Sequence, residues 1–173
     1  MVKVVLCSYI VSFMLLLPGC GGGGTSSAVP LPVNTAIVVA ADLAPGLTKT
    51  SAPIKLIDVK FTLPQTAAPI LNSDGTPQIG ETGLKNLHPD NGFIPNGSYN
   101  PVTREVRFSL FPNDIATTDL GTGDIARLTC NITSGAQLSA QDIHPDLGVF
   151  GPGGVDLTSE TVPSVRIVTY QKP

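Results

Sequence analysis

The chain predicts an all-β protein: one jelly-roll-like antiparallel β-sandwich of about nine strands. Three observations carry that expectation. Apolar residues recur at every second position in Ile57–Leu63, Val106–Leu110 and Leu128–Ile132, the period of a strand with one buried and one wet face. The chain holds 18 Gly and 16 Pro, and inside a helix such residues cost about 1 to 3 kcal/mol each. No helical stripe longer than two turns is present.

In chain order, the first element is a leader. Lys3 gives it a positive start, and Val4 to Leu17 is a run of 14 residues that is almost wholly apolar. A spanning helix would need roughly 20 such residues, so this block reads as an export signal. Leu17-Pro18-Gly19-Cys20 resembles the lipobox of a bacterial lipoprotein. That resemblance implies that residues 1–19 are a signal peptide, that the chain is cut before Cys20, and that lipid on the Cys20 thiol holds the protein to a membrane outside the cytoplasm, at the bacterial cell envelope. Residues 20–34 are rich in Gly, Ser and Pro and read as a tether spanning about 20 Å root-mean-square.

Residues 35–173 form the expected domain, long enough for one core. Ala36–Ala41 and Val165–Tyr170 are more continuously apolar than the alternating runs, as strands covered on both faces would be. In the alternating strands, Ile57, Val59, Phe61, Val106, Phe108, Leu110, Leu128, Cys130 and Ile132 fall on the inner face, with Asp58, Lys60, Arg107 and Ser109 on the outer one. Turn chemistry separates the runs: Ser73-Asp74-Gly75, Pro89-Asp90-Asn91-Gly92, Pro95-Asn96-Gly97, Gly121-Thr122-Gly123-Asp124 and Gly151-Pro152-Gly153-Gly154. Of the three cysteines, Cys7 leaves with the signal and Cys20 takes lipid. Cys130 then has no partner in its own chain and reads as a small buried hydrophobe, so the core holds without a disulfide.

The order Lys55–Pro64, Arg104–Phe111 and Gly121–Gly135, with its Gly-x-Gly turn leading into Ile125-Ala126-Arg127-Leu128-Thr129-Cys130-Asn131-Ile132 and closing on Ser134-Gly135, resembles a cohesin domain. The resemblance runs from about Thr35 to Tyr170. It implies a jelly-roll related to some carbohydrate-binding modules. It also implies protein–protein docking through a flat sheet face, usually onto a dockerin, in assemblies that degrade polysaccharide.

Composition excludes some classes. Ten basic residues stand against 13 acidic ones, for a formal net charge of −3. With no basic patch, nucleic acid is not an expected partner. No Gly-x-Ser-x-Gly elbow occurs, and nothing pairs a nucleophile with a base or two carboxylates across a cleft. The expectation is a non-enzyme without cofactor or metal. His88-Pro89-Asp90-Asn91-Gly92 and His144-Pro145-Asp146-Leu147-Gly148 share a pattern that suits turns, since Pro fixes the first turn position and Asp and Gly the next. Asp114, Asp119 and Asp124 lack the spacing of a calcium loop and read as solvated turn carboxylates.

Three functional readings follow. The leading one is a lipid-anchored binding protein that docks a protein partner through Asp58, Lys60 and Arg107. A glycan-binding module would instead need exposed rings. The rings out of phase with the core are Phe93, Tyr99, Phe111, Phe150 and Tyr170, with Phe93 and Tyr99 in one loop region. The third reading is a structural component of the envelope or of a filament.

Overall fold

The computed structural model describes residues 33–171. The export signal, Cys20 and nearly all of the tether lie outside the described residues. Ten strands form: β1 (Val33–Leu43), β2 (Leu56–Thr62), β3 (Ala67–Pro69), β4 (Leu84–Asn86), β5 (Gly92–Phe93), β6 (Gly97–Asn100), β7 (Glu105–Pro112), β8 (Gly123–Ile132), β9 (Asp146–Phe150) and β10 (Thr161–Gln171). Among the described residues the helical pieces are single 3-10 turns, at Ala140–Asp142, Pro152–Gly154 and Thr158–Glu160. No described helix is long and apolar enough to cross a membrane. The first strand starts at Val33, two residues ahead of the expected domain start.

The strands make two five-stranded antiparallel sheets, as expected of a sandwich. Sheet A runs β10-β1-β8, with β3 and β4 sharing the far edge of β8. Sheet B runs β9-β2-β7, with β5 and β6 sharing the far edge of β7. The pairs β1:β10, β2:β9, β3/β4:β8 and β5/β6:β7 are successive rungs of one long hairpin rolled over itself, each rung lying in the sheet opposite to the last. That is a jelly roll.

The core lies between the sheets. Ile57, Val59 and Phe61 of β2, Val106, Phe108 and Leu110 of β7, and Leu128 and Cys130 of β8 are buried in it, with Ile132 packed against it. Two departures from simple alternation have local causes. A bulge opposite Val39 and Ala40 leaves Ile125 as an extra residue in β8, and both Ile125 and Ala126 are buried in the core. A bulge breaks the period of two and re-aims a side chain. The second departure is β10, an edge strand with a neighbour on one side. Val165 and Ile167 therefore pack on the core only half-buried, unlike Ala36–Ala41 of β1, all buried.

A candidate docking face on sheet B

Because β2, β7 and β9 alternate, burying one set of side chains sends the other set to the outer face of sheet B. Register then lines the outward residues up in rows across the strands. Lys60 lies opposite Arg107 on one side and Asp146 on the other, and Arg107 lies opposite Ser98. Two residues along, Asp58 lies between Ser109 and Gly148. Beyond these, Leu56 pairs with Phe150 and Phe111 with Phe93.

Side-chain length makes this face a trough. Gly148 and Ser109 are short, and the rows on either side carry long side chains. The result is a groove of about 610 Å³ lined by Asp58, Lys60, Asn96, Ser98, Arg107, Ser109, Asp146 and Gly148. The Phe150 ring leans over Gly148, where a Cβ would come within 2.9 Å of the ring edge and push it aside.

The polar groups are partly matched to one another. The Ser109 hydroxyl donates to Asp58 Oδ1 at 2.5 Å. Lys60 Nζ lies 2.9 Å from Asp146 Oδ2, with the two side chains 44% and 71% exposed. Arg107 donates through Nε to Glu105, and that carboxylate holds the guanidinium pKa above its ordinary value. Exposed pairs of this kind stabilise the fold by at most about 1 kcal/mol, so these side chains stay available to a partner.

The three residues expected to form a docking surface, Asp58, Lys60 and Arg107, therefore come together in one groove. The two expected sugar-contact rings do not. Phe93 is 46% exposed on the outer side, its ring 6.2 Å from that of Phe111 and tilted by 31°. Tyr99 pairs with fully buried Val106 and packs against the core from the opposite side. Phase along β7 separates them, since Phe111 and Val106 point to different faces. Tyr170 is also engaged within its own sheet, lying across the outer face of sheet A with its hydroxyl 2.5 Å from Thr129 Oγ1. Asp146 and Gly148 of β9, Ser98 of β6 and Asn96 just before it complete the groove and were missed as site residues. The alternation of Leu147 and Val149 with Asp146 and Gly148 was the available signal, hidden by the turn chemistry of His144-Pro145.

Other candidate constellations are separated or already engaged. His88 lies beside the start of β8, where Leu87 bonds Ile125, whereas His144 precedes Asp146 at the opposite end of the sandwich. The two His-Pro-Asp segments do not meet. The carboxylate of Asp114 accepts from Ala116 N and the Thr117 hydroxyl, Asp119 accepts from Ile54 N and Gly121 N, and Asp124 pairs with Arg166. Each has its own partner rather than a shared centre. Among the described residues no group of three or more His, Cys, Asp or Glu could hold a metal ion. Cys130 is buried and its thiol is pushed up to about 12 by that burial, so it stays protonated and unreactive.

In comparison with known proteins, the chain matches no family model, no curated protein and no solved structure.

Proposed function

We propose that this is a lipid-anchored, non-catalytic binding protein of the bacterial cell envelope, and that it docks a protein partner through the outer face of sheet B. One observation carries the docking reading: Asp58, Lys60 and Arg107, from two strands, share a groove with Asp146 of a third. The aromatic residue that lines the groove, Phe108, is buried in the core and offers no exposed ring to a sugar. A face of mixed charge suits a protein surface, where charged groups steer encounter and set specificity. The cohesin resemblance supports the same reading, since that family docks through a sheet face. The anchor rests on Val4–Leu17 and Cys20. Several acyl chains together hold a protein firmly, at about 0.8 kcal/mol per buried methylene.

Two experiments test the proposal. Mass spectrometry of the mature protein should find an acylated Cys20 at the N-terminus, and an unmodified Cys20 would end the anchor. For docking, affinity capture with full-length protein is compared with Ser109→Trp, which fills the groove. Loss of one defined partner, with an unchanged melting temperature, is the expected result; capture of that partner at full strength would place the docking surface elsewhere. A second reading, a glycan-binding module, is favoured by the exposed Phe93 against Phe111 beside the groove. A glycan array on which Phe93→Ala abolishes a specific signal would select it.

A further inference from the structure

Lys60 and Arg107 are directly opposed on neighbouring strands, and both line the groove. Like charges in that relation repel. Their own carboxylates sit to the outside of the pair: Asp146 on β9, beyond Lys60, and Glu105 two residues along from Arg107. The other carboxylate lining the groove, Asp58, is engaged by the Ser109 hydroxyl. An ammonium has three donors and a guanidinium five. Lys60 reaches Asp146, and Arg107 gives its Nε–H to Glu105. Among the described residues the Nη groups of Arg107 have no protein acceptor. The groove thus presents two adjacent cations with unspent donors, flanked by the Ser98 hydroxyl and the Asn96 amide. Outside the groove, beyond Asp58 and Ser109, the same face carries an apolar bank in which Leu56 pairs with Phe150 and Phe111 with Phe93.

We infer that the protein partner seats an acidic side chain between Lys60 and Arg107, with an apolar neighbour laid against the Phe150 and Phe93–Phe111 bank. This rests on the docking reading above and adds the chemistry of the contact. A carboxylate bridging the two cations relieves their repulsion and takes paired bonds from the guanidinium fork. Lys60 and Leu56 stand four residues apart on β2, so the cation pair and the apolar bank are about 13 Å apart, and an extended peptide supplies a carboxylate and an apolar side chain at that spacing. An acidic polysaccharide supplies the carboxylate but offers the apolar bank only sugar faces.

The test uses full-length protein in detergent and a fluorescein-labelled peptide of alternating Glu and Leu, read by anisotropy. A Gln and Leu peptide is the neutral match, and trigalacturonate is the competing acidic glycan. The Glu peptide should bind, its affinity should fall with salt, and Lys60→Gln with Arg107→Gln should weaken it by at least about tenfold, since losing even one charged hydrogen bond has that effect. Lys49→Gln, outside the groove, should change nothing. Equal binding of the Glu and Gln peptides, or equal binding to wild type and the double variant, overturns the inference. Trigalacturonate binding more tightly than the peptide, and through Lys60 and Arg107, reassigns the cation pair to a glycan and overturns it too. Failure here is distinct from failure of docking. If Ser109→Trp abolishes partner capture while the two peptides bind alike, the docking face stands and the carboxylate contact falls.

Discussion

The outer faces of the two sheets are built from the same alternation and end in opposite conditions. On sheet A the central strand β1 turns Ala36, Val38 and Ala40 outward, and all three are buried. Tyr170 on β10 reaches Thr129 on β8, so its side chain must cross the intervening β1. The Arg127 guanidinium stacks on that ring at 4.3 Å from its centroid and bonds Glu81, which also pairs with Lys85. Long side chains there pack on and bond one another, with Arg127 Nε left buried and unpartnered beneath them. On sheet B, Gly148 and Ser109 are too short to roof anything, and Lys60 and Arg107 keep donors free. A face roofed by its own long side chains seals the fold, whereas an open trough lined by exposed charged groups is accessible to a second molecule.

Truncating the shared core should have the largest effect. Phe108→Ala removes a buried ring beneath the trough and should cost about 3 to 5 kcal/mol, read as a lowered denaturation midpoint. An unchanged midpoint would mean that β7 has the opposite phase and that Arg107 does not face outward. Next comes the seal on sheet A. Tyr170→Phe strands the buried Thr129 hydroxyl and should cost about 1 kcal/mol, while partner capture stays at full strength. If capture falls instead, the contrast between the faces is false.

Charge reversal at Lys60 and Arg107 together should act the other way round. The fold should stay intact, but partner capture should weaken and lose its salt dependence. Equal capture at low and high salt by wild type and variant would remove the trough from the docking surface.

The smallest expected effect is a pH dependence at His88. Burial lowers its pKa, with Asp124 opposing, and its Nε2 is buried without a partner. Folding therefore favours the neutral ring. The stability that this ring retains above its ordinary value of 6.5 should decline as pH falls below it, until the folded-state pKa is passed and both states are charged. The melting-temperature difference between wild type and His88→Gln should change across that window. A constant difference would show the ring is solvated.

How much of this was legible depended on strand length. In β2 and β7 three apolar residues alternate with polar ones, enough to set the phase and turn Asp58, Lys60 and Arg107 outward. In β3, β4, β5 and β6, two to four residues long, no period can be counted. The count of about nine strands met ten, and Phe93 and Tyr99 were grouped by closeness in sequence. The five-residue β9 was hidden behind a proline, and its Asp146 and Gly148 were overlooked.

The sequence by itself determined the fold class, the inner face of β2 and β7 and the burial of Cys130, because these depend on residue type and local period. Only the tertiary structure decided that Lys60 meets Arg107 and Asp146 in one row, that Tyr170 spans β1, that Ile125 bulges and that Tyr99 turns to the core. Those outcomes depend on which strands become neighbours and in what register. Neighbour choice and register are settled by closing the whole sandwich around one core, where a one-residue slip would expose every buried side chain of a strand.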